Sequence, residues 1–376
     1  MPRSGPAFVL TLVLSTWLHV GCQPTAHRQP AGAEPLSVPT TTGTPGTSRA
    51  SAPGPAAAPR EQVGPVQIFI GDGVVRRRDG DAADAAPEEL PTAASVRDRP
   101  AAGWSRFRVL HAAFSPEDQA RVDRNCLMGL PKRNPQFGHG PTRFVCRDGY
   151  VLEHASADKI PIWVSERVTR GQLAGSLPRT NPFQPDPLLP SAERSELSDY
   201  RRSGFDRGHM APNGNQTLDD RLRRETFFLS NIVPQNGSQN QGIWARLEGQ
   251  CRSWVHSRYP EAYVITGGMF YDPAEEDEST ADGLIEFQQI GANAVSVPTH
   301  TYKIFVGKAQ DGTLRAVAFM IENAPEDRDA PFDGFVVSVD FLEERTGIDF
   351  MPDLPAADEQ RLERQPARVS DVGTVD

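Results

Sequence analysis

The alternation of apolar and polar residues separates the chain into a weakly apolar first part and a patterned remainder. Residues 23–103 are dominated by Pro, Ala, Gly, Thr and Ser, with almost no large apolar side chains. Such a segment cannot bury enough surface to offset the entropy lost on ordering it. The pattern predicts a disordered tether over 23–103, a single domain over 104–355 and a polar, frayed tail over 356–376.

Within the predicted domain, apolar runs separated by turn residues indicate strands and helices in irregular alternation. Ser115 before Pro116 and two acids is typical of a helix start, and residues 238–241 resemble a capping box that opens a helix ending before Pro260. A third helix is expected around residues 342–344. Strands are predicted over residues 144–146 and 150–152, joined as a hairpin by residues 147–149, and over 162–168, 225–230, 261–266, 295–297, 301–306, 314–321 and 335–339. Without βαβ regularity, this order favours an α+β fold, with a mostly antiparallel central sheet flanked by helices.

The N-terminus has the features of an export signal over residues 1–22. Arg3 precedes a short apolar region, residues 8–14 continuing through Leu18, that is too short to span a bilayer. Gly21 before Cys22 resembles a lipoprotein cleavage site, so lipidation at Cys22 and simple secretion both stay open. Either way we expect an exported protein that is periplasmic, anchored to the outer membrane or extracellular, with 23–103 as a possible tether.

Charge and cysteine content narrow the classes of function. The formal net charge of −10 argues against a protein that coats nucleic acid through a basic face. An oxidising compartment makes a Cys126–Cys146 disulfide plausible, with Cys251 free; the alternative is that all three are buried thiols. No CxxC pair exists, so a structural zinc site is not expected.

Two segments, residues 206–209 (Asp-Arg-Gly-His) and 240–248 (Asn-Gln-Gly-Ile-Trp-Ala-Arg-Leu-Glu), carry the groups that phosphodiester hydrolysis needs. Histidine is suited to deprotonate water near neutral pH. The arginine fork can donate two hydrogen bonds to a phosphate. A hard divalent cation held by oxygen ligands can assist the leaving oxygen.

The expected secondary structure would bring these groups together. Arg207 and His209 are two residues apart and would share one face of a strand, with Gly208 allowing the backbone to approach the substrate. Asn240 would lie in the first turn of a helix, and Glu248 two turns later on the same side. Trp244 and Leu247 would anchor that helix to the core.

The motifs at 206–212, 228–235 and 240–248 resemble those of the DNA/RNA non-specific endonucleases of the ββα-metal class, which include mitochondrial endonuclease G. Weaker similarity extends, in order, from residue 126 to about 354. The resemblance implies that Mg²⁺, with Mn²⁺ as a substitute, assists cleavage of DNA and RNA to give 5′-phosphate and 3′-hydroxyl ends. It implies the following roles: His209 as general base, Arg207 as a phosphate contact, Asn240 as the one direct protein ligand of the ion, Glu248 as a ligand through water, and Asn231 and Gln235 as supporting and substrate-binding residues.

Each residue also has an ordinary structural interpretation. A lone strand histidine is more often structural than catalytic, Asn240 could be a first-turn residue, and Glu248 could be solvated. Two other functions stay open: a catalytically silent nucleic-acid-binding or envelope-interaction lipoprotein on the same scaffold, and a phosphodiesterase acting on a small ester. Chelator-sensitive degradation of a plasmid separates the enzyme from the silent binder.

Overall fold

A seven-stranded antiparallel sheet organises the computed structural model. The structure describes residues 66–71, 74–77, 114–134, 137, 139–177, 181–277, 279–364 and 366–373. The predicted signal peptide, with Cys22, and most of the predicted tether lie outside these residues. No helix among the described residues is long and apolar enough to cross a membrane.

The strands and helices have the following bounds. The strands are β1 (Val66–Gly71), β2 (Val74–Arg77), β3 (Lys132–Arg133), β4 (Thr142–Cys146), β5 (Val151–Ala155), β6 (Ile160–Thr169), β7 (Phe205–His209), β8 (Ile232–Asn236), β9 (Glu261–Met269), β10 (Leu284–Phe287), β11 (Gln289–Ile290), β12 (Val295–Ser296), β13 (His300–Lys308), β14 (Leu314–Glu322), β15 (Val336–Val337) and β16 (Ile348–Asp349). The helices are α1 (Pro116–Asn125), α2 (Leu197–Tyr200), α3 (Asp220–Glu225), α4 (Gly237–Gln239), α5 (Ala245–Ser257), α6 (Val339–Thr346), α7 (Ala356–Leu362) and α8 (Val369–Gly373). A π turn spans Asn240–Trp244, and short 3₁₀ helices span Gln172–Ala174, Ser191–Glu193, Asn213–Asn215, Leu229–Asn231, Pro273–Glu276 and Phe332–Phe335.

The central sheet has the strand order β15-β14-β13-β9-β6-β5-β4. Every neighbouring pair in it is antiparallel, which confirms the predicted α+β class. The hairpin predicted around residues 147–149 is β4–β5. Strand β9 does not end before Gly267 as predicted, because Gly267 and Gly268 pair with Tyr302 and Thr301 of β13.

The two faces of the sheet bury two separate apolar clusters, as the period of two in a strand requires. Val264 points into the cluster that also receives the β7–β8 hairpin and α5. Its neighbour Ile265 points into the cluster covered by α1 and α6. On the first face the Trp254 ring of α5 lies 4.9 Å from the Phe305 ring of β13, measured between centroids. This packing fixes the long helix against the sheet.

Two expectations are wrong. Residues 225–230 do not form a strand, because α3 runs to Glu225 and a 3₁₀ helix follows at Leu229–Asn231. The polar tail is not frayed: α7 buries Leu362 and α8 buries Val372. Within the range of the predicted tether, β1 pairs with both β2 and β10, and the domain boundaries stay predictions.

The three described cysteines are thiols. Cys126 and Cys251 are buried and Cys146 is half-buried. Burial raises the pKa of each thiol to about 12, which keeps them protonated near neutral pH. The structure therefore corresponds to the buried-thiol alternative and not to the Cys126–Cys146 disulfide.

Candidate active site

The residues of the two motifs lie on one strand–strand–helix unit. Strand β7 pairs antiparallel with β8, which places Arg207 opposite Pro234 and His209 opposite Ile232. The chain then passes through α4 and the π turn directly into α5. Hairpin and helix are thus continuous in sequence, and both pack on the same face of the central sheet.

The helix start differs from the predicted capping box at 238–241. Asn236 is the cap, since its Oδ1 accepts hydrogen bonds from the backbone N–H groups of Ser238 (3.0 Å) and Gln239 (3.4 Å). After α4 the chain widens into the π turn, where the N–H of Ala245 donates to the carbonyl of Asn240. Gly242 takes φ −97° and ψ −108°, which is not helical.

Asp206 fixes the orientation of the Asn240 side chain. Its Oδ2 accepts a hydrogen bond from Asn240 Nδ2 at 2.9 Å and another from Gln241 Nε2 at 2.7 Å. An ionised carboxylate can only accept, so it selects the NH₂ end of the amide. The amide oxygen of Asn240 is then the atom that remains for a cation.

This oxygen suits a hard divalent cation such as Mg²⁺, which prefers oxygen ligands and keeps several waters. The described residues contain one cluster of three carboxylates with oxygens within 4.8 Å of one another, formed by Asp340, Glu343 and Glu363. It belongs to α6 and the end of α7, not to the hairpin.

His209 and Arg207 share one face of β7, as predicted, because both reach Phe183. The His209 ring lies 5.2 Å from the Phe183 ring and 4.8 Å, edge-on, from the Phe227 ring. The Arg207 guanidinium lies 4.2 Å above the Phe183 ring. His209 is 9% exposed, while Arg207 is exposed. The aromatic rings restrict the imidazole while the guanidinium stays open to solvent.

Glu248 lies on α5 at the end of a chain of polar contacts. Arg252 Nη1 is 4.0 Å from Glu248 Oε2 and donates to Asn215 Oδ1 at 3.3 Å. Asn215 Nδ2 in turn donates to Glu166 Oε1 on β6 at 2.8 Å. The carboxylate is therefore connected through the helix surface to a buried acid of the sheet.

A buried lysine lies under the same helix. Lys303 Nζ donates to Thr266 Oγ1 at 2.8 Å and lies 4.7 Å from the Trp244 ring centroid. Burial lowers the pKa of Lys303, an effect that Glu248 and Glu166 oppose. Burial likewise raises the pKa of Glu166 to about 8. Trp244 is buried, as predicted for a core anchor.

Asn231 and Gln235 have supporting positions with no surface exposed to a substrate. Asn231 is fully buried. Its Oδ1 accepts a hydrogen bond from the N–H of Ala211, and its Nδ2 donates to the carbonyl oxygens of Ala211 and Thr226. Gln235 is fully buried and donates to Gln239 Oε1 at 2.6 Å. These contacts agree with the predicted support of the site, whereas substrate binding by these two residues would require them to leave the core.

Gly208 permits a close contact across the hairpin that the sequence did not predict. A Cβ atom on Gly208 would lie 1.9 Å from Gln235 Oε1 and 2.8 Å from Gln235 Cβ. The glycine therefore makes room for the Gln235 side chain, and its predicted role in the approach of the substrate stays a prediction. Only a residue without a side chain permits this approach.

Four residues near the predicted set were missed by sequence reasoning: Asp206, Phe183, Phe227 and Arg252. Asp206 had a visible signal, since it adjoins Arg207 within the motif. Arg252 also had one, because it lies one helical turn after Glu248. The two phenylalanines had no local signal, because their approach to His209 depends on tertiary packing.

Other histidines lie elsewhere. His154 Nε2 lies 2.9 Å from the carbonyl oxygen of Glu193, and His300 packs against Tyr271. Burial lowers the pKa of both imidazoles to about 4, so both are neutral at pH 7.

Comparison with known proteins follows the same motifs. The family model described as DNA/RNA non-specific endonuclease matches residues 132–357. A mitochondrial nuclease EXOG of Danio rerio is 35% identical over 232 residues, covering 60% of this chain and 63% of that protein. Human mitochondrial endonuclease G is 34% identical over 218 residues, covering 58% of this chain and 72% of that protein. This chain thus spans under two thirds of the EXOG protein.

A solved structure shares the fold. The crystal structure of an EndoG/EndoGI complex superposes with a TM-score of 0.56 at 29% sequence identity, covering 65% of this chain and 95% of that one.

Proposed function

Because the chain belongs to the DNA/RNA non-specific endonuclease family, we propose that it hydrolyses phosphodiester bonds in DNA and RNA with little sequence preference. One observation carries the proposal: Arg207, His209 and Asn240 lie on a single hairpin–helix unit, with Asp206 orienting the Asn240 amide. These groups address phosphate and water, and not the edges of bases, so they supply no means of reading sequence.

His209 is proposed as the general base that takes a proton from the attacking water. General acid–base catalysis by a positioned side chain contributes about 10²–10⁴-fold to a rate. The rings of Phe183 and Phe227 against the imidazole limit its rotation. The plane of the imidazole is thereby restrained.

Arg207 is proposed to bind the scissile phosphate. Its guanidinium is exposed and stacked on Phe183, which leaves its N–H groups available in the plane of the fork. A guanidinium can donate two parallel hydrogen bonds to phosphate oxygens.

Asn240 Oδ1 is proposed to hold Mg²⁺ directly, with Mn²⁺ as a substitute, and Glu248 through an intervening water. The amide nitrogen is already bonded to Asp206, which leaves the oxygen available as a ligand. When bound, the ion would neutralise charge on the phosphate and on the leaving oxygen. Release of the 3′ oxygen gives products with 5′-phosphate and 3′-hydroxyl ends.

A cleavage assay tests the proposal. The full chain is incubated with supercoiled plasmid and with structured RNA in Mg²⁺, with and without EDTA, beside the His209→Ala variant. We expect degradation of both substrates that EDTA abolishes, and fragments that a polymerase extends from their 3′-hydroxyl ends. Intact plasmid and RNA would contradict the activity, and undiminished cleavage in EDTA would contradict the metal dependence.

Export is proposed separately, on the basis of Arg3, the apolar run at 8–14 and Cys22. Cell fractionation with mass analysis of the mature N-terminus tests it. A chain that retains residues 1–22 in the cytoplasm would contradict it, and a lipid mass on Cys22 would decide between anchoring and secretion.

A further inference from the structure

Three exposed arginines at the site hairpin differ from most arginines of the described structure. Elsewhere arginines commonly pair with acids, as Arg147 does with Asp186 at 2.7 Å. Within the described part of the chain, the guanidinium groups of Arg201, Arg202 and Arg207 have no hydrogen bond or ion pair, and all three side chains are exposed. In a chain with 49 acidic and 39 basic residues, cations left without acids are available to an external anion.

Arg202 also has an unusual backbone. Its φ is +60°, a left-handed conformation that only two other described residues with side chains adopt, Lys159 and Ala294. This conformation is unfavourable for a residue with a Cβ atom and costs glycine nothing. Folding alone therefore favours glycine at this position over arginine.

Hydrogen bonds fix the turn that carries Arg202. Ser203 Oγ accepts from the N–H of Phe205 at 3.1 Å and donates to the carbonyl of Tyr200 at 3.0 Å. The N–H of Ser203 also bonds the Tyr200 carbonyl. The turn thus joins α2 to the first residue of β7.

The turn lies at the end of the hairpin where the metal ion is proposed to bind. Strand β7 begins at Phe205, and the next residue, Asp206, holds Asn240. His209 is at the opposite end of the same strand. A nucleic acid strand that lies along β7, with its scissile phosphate between Asn240 and His209, would therefore carry a neighbouring phosphate toward Arg201 and Arg202.

We propose that the turn at residues 201–202 is a phosphate-binding subsite, in which Arg202 contacts the nucleic acid backbone at a nucleotide flanking the scissile bond. The proposal rests on the proposed function. It identifies a contact outside the catalytic groups and accounts for a cation in a backbone position that suits glycine. Because the contact is to phosphate, it adds affinity without sequence preference.

The variant Arg202→Gly distinguishes an arginine that binds phosphate from one that is only solvated. Relief of the left-handed strain should raise the melting temperature, while loss of the cation should weaken binding. A solvated arginine predicts the higher melting temperature with unchanged binding. Arg202→Lys keeps both the charge and the backbone strain, and Arg315→Gln on β14 removes an exposed arginine outside the hairpin as a matched control.

Binding of a fluorescent DNA duplex is measured over a salt series in the His209→Ala background, which prevents cleavage. For Arg202→Gly we expect affinity several-fold lower at low salt, and a slope of log K against log salt that is smaller by about 0.9, the value for one lost phosphate contact. Arg202→Lys should keep most of the slope, and Arg315→Gln all of it. In the active enzyme, Arg202→Gly should raise KM and leave kcat unchanged.

An unchanged affinity and slope in Arg202→Gly would overturn the proposal. So would a lower melting temperature, since the weaker binding would then follow from a damaged turn. Failure of the proposed function looks different, because a parent protein that neither cleaves nor binds nucleic acid fails before any variant is compared.

Discussion

The exposed face of the hairpin–helix unit and its buried underside differ in how closely their polar side chains are surrounded by other protein groups. On the exposed face, Arg207 has a single aromatic contact, and Asn240 bonds Asp206 through its nitrogen only. On the underside, Asn231 bonds three backbone groups and Gln235 fills the space left by Gly208. Incomplete partnering leaves the outer groups available for a substrate, while the close packing below fixes where they point.

The largest expected effect tests the outer face. His209→Ala should lower the cleavage rate by about 10²–10⁴-fold, because the proposed base is removed. The fold should persist, since the sheet does not depend on this ring. Initial rates on plasmid and far-UV circular dichroism check both parts. A variant that keeps more than a tenth of the activity would exclude His209 as the base.

The next effect tests the underside. Gly208→Ala should lower the free energy of unfolding by about 2–3 kcal/mol, because the new Cβ would overlap Gln235. Gly334→Ala is the matched control, as nothing lies within 4 Å of a Cβ there. Denaturant unfolding measures both. Equal stabilities of the two variants would show that the hairpin relaxes around the methyl group.

The buried imidazole of His154 makes the stability of the protein depend on pH. Burial lowers the pKa of His154 from 6.5 to about 4, so the unfolded chain binds a proton before the folded chain does. The resulting stability is present above pH 6.5 and is lost as pH falls toward 4, by about 2 kcal/mol between pH 7 and 5. In His154→Gln that loss should be smaller by this amount. Parallel pH curves for the two proteins would contradict it.

The smallest expected effect concerns the hydrogen bond by which Asp206 orients Asn240. Asp206→Asn should raise the Mg²⁺ concentration for half-maximal cleavage about tenfold, because an amide no longer selects which end of Asn240 faces outward. Gln241→Ala, which removes the other donor to Asp206, should change it much less. Cleavage rates measured over a range of Mg²⁺ concentrations give this value for each variant. An identical Mg²⁺ requirement in Asp206→Asn and the parent would show that Asn240 is oriented by other contacts.

Sequence patterns predicted the antiparallel sheet, the β4–β5 hairpin and the shared face of Arg207 and His209, because these depend on local alternation. They did not predict how residues meet across the chain. In 225–230, Phe227 and Phe228 lie between α3 and the 3₁₀ helix that contains Leu229, and their burial alone cannot distinguish this arrangement from a strand. Leu362 and Val372 are sparse among polar neighbours, so only tertiary packing reveals that the tail is ordered.

The π turn at Asn240–Trp244 has a consequence for how this chain can change over evolution. A π turn contains one residue more than an α-helical turn. With α5 fixed against the sheet by Trp254, deleting one residue here would close the wide turn and move Asn240 relative to Asp206, which orients its side chain. The number of residues in the turn is therefore constrained as strictly as their identities, and the segment should tolerate substitutions more readily than changes in length.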